Sequence, residues 1–227
     1  MKLLIDDADV NAIRRLYEYY PIKGVTTNPS ILAAAGRPPY EVLKEIRSII
    51  GADADLHVQT VASDCSGIID DAHEILRRLG DGTLVKIPCM PEGFKAMKQL
   101  KREGVRLTGT AVYTSMQAYM AAECGAEYVA PYVNRIDNMG YDGAAVVRQI
   151  QDIFDNNAYE TGILAASFKN TQQLLELCSY GIAAATAAPG IIDGMFSNAS
   201  VNAAVEAFRK DFERAAGDGL TMSTTNM

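Results

Sequence analysis

The chain has no tryptophan, only two histidines and four cysteines in 227 residues, and no excess of positive charge. Each shortage narrows the function. His57 and His73 stand alone, and Cys65, Cys89, Cys124 and Cys178 form no C-x-x-C pair. The ligand spacings of a zinc or iron site are therefore missing, and no metal is expected. The cysteines read as reduced thiols, mostly in the core. With 21 basic against 28 acidic side chains, the net charge is −7 and the pI about 4.9. A nucleic-acid partner would call for a basic face, so none is expected. Lys95, Lys98, Lys101 and Arg102 read as a solvated helix face, although a local basic pocket for a small phosphorylated molecule remains compatible with an acidic protein. No apolar run approaches the roughly 18–20 residues that cross a bilayer. Asp6 and Asp7 arrive too early for the apolar core of a signal peptide. The expected compartment is the cytoplasm, with no membrane partner.

One motif is a decoy. Asp7, Asp9, Asn11 and Glu18 fall at positions 1, 3, 5 and 12 of a calcium loop, but the sixth position is Ala12, where the turn needs glycine. Ile13-Arg14-Arg15 then reads as helix, and Asp7 is better explained as a helix cap.

What the chain does contain is a regular alternation. Short apolar runs predict strands at Lys2–Asp6, Ile22–Thr26, Asp55–Gln59, Thr83–Ile87, Arg106–Thr110, Tyr128–Pro131, Gly162–Ala166 and Ile182–Thr186. Between them, apolar residues recur at helical spacing, as at Val10, Ile13, Leu16 and Tyr17, or Val42, Leu43, Ile46 and Ile49. Ile68 to Leu79, Phe94 to Leu100, Val146 to Phe154 and Leu174 to Leu177 continue the pattern. Eight strand–helix repeats with largely apolar strands predict an α/β (β/α)₈ TIM barrel over residues 1–215. An extra C-terminal helix over Val201–Arg214 carries Val201, Ala204, Val205, Phe208 and Phe212 as an apolar stripe. A flexible tail at 216–227 follows. The competing architecture is a doubly wound open sheet, but no G-x-G-x-x-G follows the first strand. The weakest strand is the eighth, whose alanines favour helix by propensity.

In such a barrel the site lies at the C-terminal ends of the strands. Those ends bring Asp6, Thr26-Thr27-Asn28, Gln59, Lys86, Thr110, then Tyr132, Asn134 and Arg135, then Ser167 and Lys169. Lys86 lies in the β-branched run Thr83-Leu84-Val85-Lys86-Ile87-Pro88. Burial there would strip its ammonium of water, lower its pKa and free an amine that condenses with carbonyls. The plain alternative is a lysine that snorkels to solvent. Any one polar strand end can be a cap or a satisfied core group, but seven converging on one mouth form a site.

The segments Val25-Thr26-Thr27-Asn28-Pro29-Ser30, Val85-Lys86-Ile87-Pro88, Ala130 to Asp137 and Ala165-Ala166-Ser167-Phe168-Lys169 together resemble the transaldolase superfamily, and most of all its fructose 6-phosphate aldolase branch. The resemblance implies a class I Schiff-base mechanism on a sugar phosphate, with no cofactor, in ring-shaped homo-pentamers that often stack as decamers. It makes Lys86 the Schiff-base lysine and Asp6 the carboxylate that assists proton transfer. Thr26 and Asn28 would hold the dihydroxyacetone part, Arg135 and Ser167 the phosphate, and Lys169 stands where transaldolases carry arginine. Transaldolases also have glutamate and phenylalanine where this chain has Gln59 and Tyr132. A Tyr132 hydroxyl with Gln59 and Thr110 can hold a water that protonates the enamine, which favours an aldolase, with transaldolase the alternative. A third reading is a sugar-phosphate-binding barrel without catalysis. Thr186-Ala187-Ala188-Pro189, Ser200 and the Asn138-Met139-Gly140-Tyr141 loop depart from the family pattern around the mouth.

Overall fold

The computed structural model describes residues 1–225; Asn226 and Met227, the end of the expected tail, lie outside the described residues. The elements run β1 (Lys2–Asp6), α1 (Val10–Tyr19), β2 (Gly24–Thr26), α2 (Pro29–Ala34), α3 (Pro39–Ile50), β3 (Asp55–Gln59), α4 (Cys65–Leu79), β4 (Leu84–Pro88) and α5 (Pro91–Arg102). They continue with β5 (Leu107–Val112), α6 (Ser115–Glu123), β6 (Tyr128–Pro131), α7 (Val133–Asp137), α8 (Gly143–Asn156), β7 (Gly162–Ala165), α9 (Thr171–Tyr180), β8 (Ala184–Ala187), α10 (Pro189–Phe196) and α11 (Ala199–Ala216). The eight parallel strands follow one another in chain order around a closed barrel, β8 pairing back onto β1 from Lys2–Ala184 to Ile5–Ala187. This is the (β/α)₈ barrel that the alternation predicts. The chain divides into two compact units, Met1–Ile192 and the stretch from Asp193 onward.

Most strands fall within two residues of their predicted bounds. β8 forms despite its alanines because ladders on both sides, to β1 and β7, override propensity. Small Ala184 also belongs inside the barrel, where it packs with Leu4, Leu84, Tyr128 and Leu164. β2 starts two residues later than expected, at Gly24. A Cβ there would come within 2.2 Å of the Asp55 carbonyl oxygen, so glycine lets β2 close on β3.

Four helices escape the periodic pattern, among them α10 after β8. α6 buries Ala118, Ala121 and Ala122 and leaves Met116 and Met120 exposed, which inverts the usual contrast of size. α2 and α7 have six and five residues, too few for a 3.6-residue period to show. The calcium decoy resolves as a helix start, although the cap is Asp9 and not Asp7. Asp9 accepts from the amides of Asn11 and Ala12, while Asp7 accepts from those of Ala8 and Asp9 just before. Cys65, Cys89 and Cys124 are buried free thiols, and Cys178 is exposed. In the second unit α11 exposes Val201, Val205 and Phe208.

The barrel's N-terminal mouth is closed by charge. Lys2 Nζ donates to Asp55 Oδ2 at 3.3 Å and to the Tyr128 hydroxyl at 2.9 Å, and Arg106 bridges Asp55 and Glu127 at 3.2 and 2.6 Å. Arg47 donates to the Ala54 carbonyl at 2.8 Å beside them. One layer in, fully buried His57 bonds Thr108 Oγ1 through Nδ1 at 2.9 Å, with the Tyr128 ring edge-on at 5.7 Å. Its Nε2 finds no protein partner.

Candidate active site

The opposite mouth holds the strand ends that the sequence singles out. Lys86 sits in the middle of β4, its backbone paired in register with Gln59 of β3 and Thr108 of β5. Its side chain is only 4% exposed and donates from Nζ to the Thr27 carbonyl oxygen at 2.8 Å. Burial lowers its pKa, the nearby Asp6 carboxylate works against that, and Arg135 adds to it. The snorkelling alternative fails on this geometry, because the ammonium points into the barrel.

Asp6 ends β1 and accepts from Thr26 Oγ1 at 2.7 Å. Burial raises its pKa, while Lys86 and the Thr26 hydrogen bond oppose the rise. Thr26 in turn stands 2.7 Å from Thr186 Oγ1 on β8. Seven strand ends are marked by the sequence pattern; Thr186 completes the ring from the eighth, where only the break in the Thr-x-Pro motif hinted at it.

Across the mouth, the Tyr132 hydroxyl lies 3.0 Å from Thr110 Oγ1. Burial raises the phenol's pKa, with Thr110, Arg135 and the Ala111 amide opposing it. The phenol therefore keeps its proton at neutral pH. Tyr132 caps the short α7, and one turn on, Arg135 lays its guanidinium carbon 4.6 Å from the Tyr132 ring centroid. α7 is tied to the segment just past β7 by the Asn134 amide, which donates to the Ser167 carbonyl at 2.8 Å. Ser167 has a φ of 62°, a left-handed conformation that is rare outside glycine and marks strain held by its surroundings.

Other predicted residues are less engaged. Asn28 uses its Oδ1 to cap α2 through the Ile31 amide at 3.0 Å, leaving its side-chain NH₂ free of that duty. Gln59 makes no hydrogen bond to Tyr132 or Thr110, and its buried Oε1 has no protein partner. Lys169 is exposed, and its backbone amide rather than its ammonium is engaged, by Gln173 Oε1 at 2.8 Å. The strand-end pattern gives no sign of Tyr113, just past β5, whose ring meets that of Tyr132 edge-on at 5.6 Å and 81°.

α5 starts close behind the end of β4, and Gly93 permits the approach. A Cβ on Gly93 would come within 2.0 Å of the Pro88 carbonyl oxygen. A bulkier residue would push the helix off the end of the lysine's strand.

A (β/α)₈ barrel with a buried lysine, a nearby carboxylate and a hydrogen-bonded phenol at its C-terminal mouth has the outline of a carbonyl-handling enzyme. Residues 3–226 match the model of the Transaldolase/Fructose-6-phosphate aldolase family, and the chain belongs to that family. A "Probable fructose-6-phosphate aldolase" of Streptococcus pneumoniae (strain ATCC 700669 / Spain 23F-1) is 38% identical over 213 residues, which are 93% of this chain and 96% of the relative. Among solved structures, a cube-shaped, highly porous protein cage designed by fusing symmetric oligomeric domains has a TM-score of 0.61 at 13% identity, over 95% of this chain and 78% of that one. A structure described as native KDPGal has a TM-score of 0.56 at 15% identity, over 82% of each chain. At such identities these two speak for the fold alone.

Proposed function

We propose that the protein is a class I aldolase that cleaves or forms a ketose phosphate such as fructose 6-phosphate, with dihydroxyacetone and glyceraldehyde 3-phosphate as the three-carbon partners. The observation that carries the reading is Lys86, a buried amine of lowered pKa that faces a carboxylate at the barrel mouth. The amine adds to the C2 ketone and water leaves, forming an iminium. Loss of the C4 hydroxyl proton, with Asp6 assisting, breaks C3–C4 and releases the aldehyde while the electron pair becomes an enamine. The enamine takes a proton at C3, and water hydrolyses the imine to free dihydroxyacetone and the amine.

Tyr132, bonded to Thr110, is the proton donor in this reading, through a water shared with Gln59. The unpartnered Gln59 Oε1 supports a place for that water. Thr26 and Asn28 hold the dihydroxyacetone part, and Arg135, Ser167 and Lys169 hold the phosphate. A transaldolase, which hands the enamine to a second aldehyde, remains the alternative; the phenol at position 132 favours protonation over transfer. The apolar stripe that α11 exposes supports assembly into a homo-pentamer or decamer, and among the described residues no helix is long and apolar enough to cross a membrane. We place the enzyme in the cytoplasm.

The test is reduction with borohydride in the presence of dihydroxyacetone. Mass should be added at Lys86, and Lys86→Met should abolish it. An unmodified wild-type chain, or an adduct that survives Lys86→Met, would refute the mechanism. Release of free dihydroxyacetone without an acceptor, compared with transfer to erythrose 4-phosphate, separates aldolase from transaldolase.

A further inference from the structure

We propose that Tyr113 is a positioning residue with two separable duties: its hydroxyl orients the Arg135 guanidinium, and its ring edge fixes the Tyr132 phenol. The inference rests on the reading above, in which Arg135 meets the phosphate and Tyr132 supplies the proton.

The first observation is how Tyr113 comes to face the site. β5 sends Thr108 and Thr110 inward, to His57 and Tyr132 respectively. Continued alternation would aim Val112 inward and Tyr113 away. Instead, the pairing with β6 slips between Gly109 and Val112, so that three steps along β5 match two along β6, from Val129 to Pro131. Ala111, inside the slip, has a φ of 55°. One extra residue reverses the parity of everything after it, and Tyr113 arrives on the inner side. A non-glycine residue held in this conformation signals a feature that its surroundings enforce.

The second observation is what Tyr113 touches. Its ring meets Tyr132 edge-on at 5.6 Å, an arrangement that aromatic quadrupoles favour. Hydrogen bonding to the Tyr113 hydroxyl raises the Arg135 pKa, more than nearby Tyr132 and Asp6 do. Arg135 also lies over the Tyr132 ring at 4.6 Å. An exposed arginine on a five-residue helix thus lies over one phenol, whose ring a second phenol meets edge-on, before any ligand arrives. Immobilising it in advance reduces the ordering that phosphate binding must otherwise impose.

The third is the anchorage of Tyr113 itself. Its backbone amide donates to Gln117 Oε1 at 2.9 Å, and the same Gln117 forms the capping box of α6 with Thr114. The tyrosine therefore hangs from a helix start, a rigid support for a residue that must hold two others.

Two substitutions divide the duties. Tyr113→Phe keeps the ring and removes the hydroxyl; KM for fructose 6-phosphate should rise about three- to tenfold with kcat nearly unchanged, the loss expected of one hydrogen bond. The same variant should handle dihydroxyacetone normally. Tyr113→Leu removes the ring edge. Deuterium uptake from D₂O into dihydroxyacetone, followed by NMR, reports enamine protonation without any phosphate, and it should slow about tenfold in this variant. Borohydride trapping at Lys86 should persist in both, showing that each folds and forms the imine. The inference is overturned if Tyr113→Phe alters both substrates alike, or if deuterium uptake in Tyr113→Leu matches wild type. Should Tyr113→Leu fail to trap, the Tyr113→Phe comparison decides alone. Wild-type protein that traps nothing refutes the aldolase reading and takes this inference with it, which is a different result from normal trapping without the split.

Discussion

The hydroxyls of Thr26 and Thr186 stand 2.7 Å apart, and Thr26 also donates to Asp6 at 2.7 Å. A threonine has one hydroxyl proton. If Thr26 gives it to the carboxylate, Thr186 must be the donor in the other bond. The result is a directed chain, Thr186 to Thr26 to Asp6, in which each hydrogen bond polarises the next.

Thr186→Val cuts that chain at its far end while keeping the side chain's shape. Thr26 becomes a poorer donor, ionised Asp6 loses support, and its already raised pKa rises further. The acid limb of the pH–rate profile should move up by roughly half to one pH unit, with a several-fold loss of rate below it. An unchanged profile would show that Thr186 only fills space.

Arg135→Ala should raise KM for phosphorylated substrates about ten- to a hundredfold, since a charge-assisted contact is worth on the order of 1.5–3 kcal/mol. Unphosphorylated substrates should lose far less. Equal losses for both would mean that Arg135 serves Tyr132, whose ring it covers at 4.6 Å, and not the phosphate.

Tyr132→Phe should slow release of free dihydroxyacetone by roughly 10²-fold while leaving borohydride trapping at Lys86 intact. Adding Gln59→Glu should shift the remaining activity toward transfer between aldehydes, because a carboxylate replaces the phenol as the group acting on the shared water. Normal cleavage in Tyr132→Phe would mean that the proton comes from elsewhere, with Asp6 the first candidate, and would remove the main support for aldolase over transaldolase.

His57 gives a test of stability apart from catalysis. Burial, with Lys86, Arg106 and Lys2 nearby, holds its pKa well below the ordinary 6.5. The unfolded chain takes up a proton near pH 6.5 that the folded chain refuses. Its contribution is therefore complete above that value and lost as pH falls toward the folded pKa, at up to about 1.4 kcal/mol per pH unit. Urea midpoints of wild type should drop between neutral and mildly acidic pH, and those of His57→Phe should drop less. Parallel curves would assign the acid sensitivity to other groups.

Strand alternation made the barrel legible because eight parallel strands buried on both faces each leave an apolar run. Polar residues at Asp6, Lys86 and Tyr132 stood out against those runs. What stayed hidden depended on geometry that leaves no run. Arg135 was readable as a motif, but the five-residue helix carrying it was not. Tyr113 was masked by the β5 slip, since a period-two reading assigns it to the wrong side. Thr186 lay in a strand whose alanines speak for helix. Gln59 shows the reverse case: its residue type is informative, yet its buried carbonyl oxygen has no hydrogen-bond partner in the protein, so the contacts within the chain do not display the role proposed for it.

The ionic plug of Lys2, Asp55, Arg106 and Glu127 at the N-terminal mouth gives the barrel a division of labour between its ends. In the proposed mechanism, a buried lysine, a carboxylate of raised pKa and a serine in left-handed conformation share one rim. The opposite rim seals the same strands with groups that lie outside the proposed site. On the proposed reading, substitutions that retune the working rim, such as Gln59→Glu with Tyr132→Phe, should therefore leave the seal at the other end untouched. The scaffold can change trade without relearning how to close.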